Sequence, residues 1–589
     1  MLHRHADSTH HRFAFLAAVA LGIAGCEAPD SSPSGSATPP LTAGAIIATC
    51  PAGLEGDLVL TNGQILTIGP DDSIVSSVRI RQDRILGVGN DVGIQACDQV
   101  IDLEGRTVVP GLQNNHMHYL RAGMRPGHAI SGAEIATNIA EVQDLISERA
   151  AGLPAADDNL DGTDFITILN AWSPRQFAED RPPTLAELDE AAPEHAVYMM
   201  GYPFGPAITN SVGKRFFEAA GIAVTGEGVL TVRPGEFDSL AHRAYFRLQE
   251  DHTLEDKQRS LRDLMRYSNT VGLSTVLEGG GGFPGTGVFD EHNDYDAIMA
   301  LWRDGELTVR IRAHIQAWAT ADTGIEAIQQ RVDNTFNRLG DDMFKVIGFG
   351  ENIVWETTPI QPLELFVEAF TIAAENGWLV HQHSIDVEEL EIHTTAFEIV
   401  NETYPIVDLH WNLSHVQEID DGILQRLKAI GAGVAVQMHY YHGNFAMGDL
   451  GPPYRTILDS GVNMSAGSDA TAFSPWLWIY HMTTGNTSYG DPILADEAIT
   501  RMEALRATTI GTAWDALEEN NLGSIEPGKL ADVVVLSADY LTIPDEELRQ
   551  LKSVLTLIGG EIVYSDGSMV SCDTSGPWFR ETPDARCQL

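Results

Sequence analysis

The sequence predicts an α/β protein: a (β/α)8 TIM barrel with a small composite β-sandwich domain built from both chain ends and an insertion after barrel strand 1. Three observations predict it. Eight short apolar runs alternate with helical stretches through the middle of the chain, the pattern a closed parallel barrel requires. The segments before and after, residues 51–107 and 516–570, are both made of short Val/Ile strands, so the two ends share one domain. The ends of the central runs carry histidine, lysine and aspartate, and barrel active sites sit at the C-terminal ends of strands.

Residues 1–25 read as a signal peptide. Arg4 and Arg12 precede the apolar run "FAFLAAVALGI", residues 13–23, which is too short to span a bilayer and suits a signal h-region. It ends in "IAGC", which resembles the lipobox of bacterial lipoproteins. That resemblance implies lipidation of Cys26, and an exported protein of the bacterial cell envelope that faces the periplasm or exterior and touches membrane only through its lipid. Residues 26–50 are a Ser/Pro-rich tether. Four cysteines remain: Cys50, Cys97, Cys572 and Cys587. In an exported chain they permit two disulfides with three connectivities. Sequence proximity favours Cys572–Cys587 with Cys50–Cys97. Residues 571–589 form a C-terminal tail.

Composition is globular, with 43% hydrophobic residues, but the charge is far from neutral: 83 Asp+Glu against 36 Lys+Arg, net −47. No basic patch is visible, which excludes nucleic acid as a partner. The charge predicts a heavily solvated acidic surface and points to a salty habitat; it says nothing of the reaction or the oligomeric state.

Residues 51–107 supply alternating runs such as "GDLVLTNGQILTI", joined by Asn-Gly and Gln-Asp turns. The barrel, residues 108–515, starts at "VVPGLQNNHMH". Then come "LSTVLEGG" (273–280), "TVRIRAHIQAW" (308–318), "FKVIGFG" (344–350), "WLVHQH" (378–383), "DLHWNLSHV" (408–416), "GVAVQMH" (433–439) and "NMSAGSD" (463–469). Amphipathic stretches between them, such as "PLELFVEAFTIAAENG" and "GILQRLKAIGAG", close on glycine as helices do. Residues 119–270 are oversized for one crossover and mark the insertion.

The pair His116/His118 opens the site argument. Positions two apart on a strand face the same way, so both imidazoles can grip one ion. The pair alone is weak: 20 histidines in 589 residues yield about 0.7 such spacings by chance, and the chain has three, at His3/His5, His116/His118 and His381/His383. The ordered set on successive strands is stronger: His116 and His118, Lys345 near the start of the fourth run, His383, His415, and Asp469.

At these residues the chain resembles the amidohydrolase superfamily, in particular its YtcJ-like branch of metal-dependent hydrolases. "VVPGLQNNHMH" matches that family's Pro-Gly-x-x-x-x-His-x-His entry. "WLVHQHSID", "LSHVQ" and "SAGSDA" resemble its fifth-, sixth- and eighth-strand motifs, and "NNLGSIEPGKLADVVVL" the return to the β domain. The likeness runs from about residue 55 to 565. It implies a divalent metal centre of one or two ions, zinc foremost. His116 and His118 would hold the more buried ion with Asp469; His383 and His415 would hold a second. In that family the lysine matched by Lys345 can be carboxylated by CO2 to a carbamate that bridges both ions; as an uncarboxylated, structural or salt-bridged lysine it would leave Glu351 or Glu278 as the substitute acidic ligand. One departure stands out: the fifth-strand motif lacks its usual glycine after His383, which makes His381 a rival ligand.

The resemblance implies hydrolysis of a non-peptide amide-type C–N bond in a small-molecule substrate by a metal-bound hydroxide, the ion lowering the pKa of its water to about 7, with Asp469 as general base and then acid. Two other readings remain open: a lactonase, esterase or phosphotriesterase-like activity on the same centre, and a catalytically retired, tethered binding lipoprotein.

Overall fold

A computed structural model describes residues 56–570, apart from residues 158, 170–171, 202–206, 232–238, 281–294, 356–359, 439–440, 442–450 and 470–471. All of them belong to one unit, Gly44–Leu589. The expected signal peptide, tether and C-terminal tail, with Cys26, Cys50, Cys572 and Cys587, lie outside the described residues. Cys97 is disulfide-bonded.

The eight apolar runs become eight strands: β1 (Leu112–Met117), β2 (Leu273–Glu278), β3 (Arg310–Ile315), β4 (Phe344–Glu351), β5 (Leu379–Ser384), β6 (Asn412–His415), β7 (Gly433–Gln437) and β8 (Met464–Gly467). Neighbours pair in parallel in sequence order, with β1 and β8 at the two ends of the sheet. Side-chain and loop bonds join those ends. Asn114 Nδ2 donates to Ser468 Oγ at 2.8 Å, Asn115 Nδ2 donates to Ser465 Oγ at 2.8 Å, and the Asp469 N–H donates to the His116 carbonyl at 2.8 Å. The polar run "QNNH", four of the six residues of β1, therefore lies at the seam of the barrel. A nearly closed (β/α)8 barrel results.

The stretches read as helices are helices. Leu363–Glu375 buries Phe366, Ala369, Phe370 and Ala373 against the barrel. Asp421–Ile430 is capped at its start by the Asp420 carboxylate, which accepts the Ile423 N–H, and ends at Gly431 in the left-handed region, φ 73°. That ending satisfies the last carbonyls without a Cβ penalty.

The chain ends do combine. A six-stranded sheet runs in the order Glu561–Ser565, Ser553–Ile558, Val533–Leu536, Thr107–Pro110, Gln64–Leu66, Ile74–Val75. A four-stranded sheet holds Arg84–Gly89, Ser77–Arg81, Leu58–Thr61 and Gln99–Asp102. Leu58, Leu60, Val78 and Ile80 of one sheet and Val108, Val533, Val535, Leu555 and Leu557 of the other form a single apolar core, which is what a sandwich requires.

The chain between β1 and β2 builds a five-stranded sheet of its own: Val229–Leu230, Ala207–Thr209, Val197–Met200, Ile166–Leu169 and His128–Ala129, in that order. It returns through the helix Leu254–Thr270, opened by a reciprocal Thr253/Asp256 capping box.

Candidate metal centre

The strand ends converge. His116 is the fifth residue of β1 and His118 follows the strand; both are buried. Glu351 is the last residue of β4, His383 the fifth of β5 and His415 the last of β6. Asp469 lies two residues past β8, held in the left-handed region at φ 56°. Asp tolerates that conformation better than most residues.

Two groups share His116. His118 Nε2 lies 3.4 Å and His116 Nε2 3.7 Å from Asp469 Oδ1. The same two nitrogens lie 3.3 and 3.8 Å from Glu351 Oε2. The other oxygen, Glu351 Oε1, meets His415 Nε2 at 3.0 Å and contacts His383 Nδ1. Each oxygen of Glu351 thus faces one pair of histidines. The donor atoms of His116, His118 and Asp469, and those of His116, Glu351 and His415, lie within 4.8 Å of one another. Ligands about 2.1 Å from a tetrahedral ion stand about 3.4 Å apart, so these separations fit an ion. His116 Nε2 is buried with no hydrogen-bond partner among the described residues. A Cβ at Gly279 would come within 3.2 Å of that atom and 3.3 Å of His118 Cε1, so glycine there keeps space beside both rings.

The far sides of the rings are anchored. His118 Nδ1 bonds the Gly280 carbonyl at 3.2 Å, and His116 Nδ1 meets His381 Nε2 at 2.8 Å and Ser414 Oγ at 3.1 Å. Such bonds leave Nε2 of each ring for a metal. Burial would raise the Glu351 carboxyl, but His383 beside it and hydrogen bonds from His118, His383 and His415 hold it well below the usual carboxylate range. Burial likewise pushes His116 well below the usual imidazole range, against the pull of Glu351 and Asp469. An ionised carboxylate among imidazoles is a cation site by charge as well as by spacing.

Lys345 is not in this cluster. It is the second residue of β4, whereas Glu351 is the eighth. At about 3.3 Å per residue the two lie about 20 Å apart along the strand. The Lys345 ammonium pairs with Glu518, whose carboxylate also faces Arg312 Nε at 3.5 Å. The carbamate expectation is corrected accordingly: Glu351, at the strand's C-terminal end, stands where the bridge was expected. Glu278, the other substitute, instead accepts the Leu120 N–H at 2.9 Å; burial pushes its carboxyl up to about 7, partly offset by His118. His383 reaches the cluster, while His381, the rival, lies one strand layer deeper against His116. Arg121, half-buried one turn after His118, was not among the expected site residues; desolvation lowers its pKa, against the pull of Glu351, Asp469 and Glu278. Its three-residue spacing from His118 was the available signal.

A barrel with histidines and carboxylates gathered at its strand ends defines a metal-dependent hydrolase. The model of the amidohydrolase family called Amidohydro_3 matches residues 99–564, and the chain belongs to that family. It is 24% identical to Protein LONG AFTER FAR-RED 3 of Arabidopsis thaliana, over 88% of this chain and 93% of that protein. It is also 24% identical to the N-substituted formamide deformylase of Arthrobacter pascens, over 86% of this chain and 98% of that enzyme. Among solved structures, the atrazine chlorohydrolase of Arthrobacter aurescens, complexed with zinc, superposes with a TM-score of 0.50 at 15% identity, covering 88% of this chain and 97% of the other.

Proposed function

We propose that the protein hydrolyses a non-peptide amide-type C–N bond in a small molecule, with divalent metal, zinc foremost, at the strand ends. The observation that carries this reading is the Glu351 carboxylate, with Oε2 toward His116 and His118 and Oε1 toward His383 and His415. The formamide deformylase relative, matched over nearly its full length, supports C–N cleavage, and the zinc named for the chlorohydrolase supports the choice of ion.

His116, His118 and Asp469 would hold one ion and His383 and His415 a second, with Glu351 between. A bound divalent ion supplies a Lewis acid for the carbonyl and brings the pKa of water to about 7. The remaining work falls to the chain. Asp469 is oriented by its own N–H, which is tied to the His116 carbonyl. Its carboxylate accepts the proton of the attacking water and delivers it to the departing nitrogen. One C–O bond forms, the C–N bond breaks, and the products are a carboxylic acid and an amine.

The test is metal content of the purified protein, followed by a panel of N-formyl and N-acyl amines, lactones, esters and phosphotriesters. One or two ions per chain with turnover of amides is the expected result. Turnover confined to esters, lactones or phosphotriesters would replace the amide reading with its sister activity. Absence of both metal and turnover would favour a tethered binding protein.

A further inference from the structure

We infer that His381 is a positioning residue that presents His116 to the metal, within a column of three buried imidazoles under the site. The inference rests on the metal reading above. His381 and His383 are two apart on β5, so both face the barrel interior. His383 reaches Glu351 at the strand end, while His381 sits one layer down. His381 Nε2 is 2.8 Å from His116 Nδ1, closer than the second neighbour of that atom, Ser414 Oγ at 3.1 Å. On its other side the His381 ring stacks on His314, with centroids 5.0 Å apart and planes 29° apart. A Cβ at Gly350 would come within 3.0 Å of His381 Cβ and 3.2 Å of His314 Cγ. Glycine there leaves the two rings their room.

The proton positions follow from the chemistry. His116 can ligate through Nε2 only if its proton is on Nδ1. That N–H then donates to His381 Nε2, which places the His381 proton on Nδ1. At the far end His314 Nδ1 lies 3.1 Å from the Glu278 carbonyl, an acceptor only, so the His314 proton is on Nδ1 and its Nε2 is an acceptor. His381 Nδ1 and His314 Nε2 are both buried without a hydrogen-bond partner among the described residues. In these tautomers one is a donor and the other an acceptor, so the two atoms are complementary. The three rings thus admit one set of tautomers in which His116 presents Nε2 to an ion. The usual partner behind a metal-bound histidine is a carboxylate or carbonyl. A neutral imidazole can accept the same N–H and places no anionic charge behind the ring.

The test is the zinc affinity of metal-stripped full-length protein, read by competition with a chromophoric chelator. Phe keeps the ring of His381 and removes the acceptor. His381→Phe is expected to bind zinc 10- to 100-fold more weakly than wild type, the range set by partners of ligating histidines, with its circular dichroism unchanged. Gln places its oxygen near the position of Nε2, whereas Asn places its oxygen near Nδ1. His381→Gln is therefore expected to retain more affinity than His381→Asn, and this comparison decides the matter should the Phe variant misfold. Equal affinity in the Gln and Asn variants, or wild-type affinity in a folded Phe variant, would overturn the role of His381 and leave the metal reading standing. A larger loss in Ser414→Ala than in His381→Phe would move the role to Ser414. Wild-type protein that takes up no zinc would remove the metal reading and this inference with it.

Discussion

Asp469 combines two roles at one backbone position. Its N–H closes the barrel seam on the His116 carbonyl, and its Oδ1 lies 3.4 Å from His118 Nε2. Asn keeps the shape and one ligand oxygen but is a poor proton acceptor. Asp469→Asn is thus expected to retain most bound metal while kcat falls about 10²- to 10⁴-fold; an Asn variant with undiminished turnover would remove the shuttle role. Lys345 should behave in the opposite way. Lys345→Ala is expected to keep both metal content and kcat, yet to lose about 1–2 kcal/mol of unfolding free energy, because it removes one of the two cations beside the buried Glu518 carboxylate and leaves it Arg312 and the Asn521 amide. Loss of metal in Lys345→Ala would restore the lysine to the site. The histidines and Asp469 were legible because they recur in order at the ends of successive apolar runs. Glu351 was named only as a substitute. The "FKVIGFGE" strand offers one lysine and one glutamate, and the family resemblance, which implied a carboxylated lysine, favoured the one at the strand's far end. Position decides: only the residue at the C-terminal end of a barrel strand can reach the site.

At the scale of elements, all eight barrel strands and the paired β ends were visible as apolar runs bounded by turns, because hydrophobic periodicity records which faces are buried. The insertion was visible only as excess length. Its strands, such as "ITIL" and "VYMM", carry the same apolar signature, but four residues do not state a partner. The parallel pairing of Ile166 with Val197 joins segments 31 residues apart. The insertion also reaches the active-site loop, through a carboxylate that no motif marks. Glu134, buried, accepts the N–H groups of Phe473 and Ser474 at 2.9 and 2.8 Å and the Tyr267 hydroxyl at 2.8 Å. Phe473 and Ser474 follow Asp469 by four and five residues and lead into the helix Pro475–Thr484. Glu134→Gln replaces one acceptor by a donor that meets other donors. It is expected to cost about 1–3 kcal/mol in urea unfolding and to lower kcat more than metal content. Wild-type stability and turnover in that variant would show that the insertion does not hold the Asp469 loop.

At the scale of the whole molecule, two features lie outside the barrel. The first is the N-terminus. No helix among the described residues is long and apolar enough to cross a membrane, and we propose that attachment comes from lipid on Cys26. Cys26→Ser is expected to move the protein from the membrane to the soluble fraction or to leave an unprocessed precursor. Equal mass and equal fractionation of variant and wild type would refute the anchor.

The second feature is the charge of −47, and here two effects of salt compete. Added salt weakens the attraction within ion pairs, which destabilises, and weakens repulsion among like charges, which stabilises. The counts decide the sign. With 83 acidic residues and 36 Lys+Arg, most carboxylates have no cation to lose, whereas every carboxylate has like-charged company. Several of the strongest pairs are also shielded from bulk ions by burial, among them Arg310–Asp532 and Arg79–Asp98. Net repulsion should therefore dominate the salt response. Raising the ionic strength from 0.01 to 1 M shortens the screening length from about 30 to about 3 Å, so Tm is expected to rise over that interval. The measurement belongs on metal-stripped protein, because a bound ion adds its own stabilisation by mass action. Sodium and potassium chloride should act alike if screening is the cause. A Tm that falls with salt would mean that the ion pairs outweigh the acidic excess. A rise with one cation alone would point to specific binding instead.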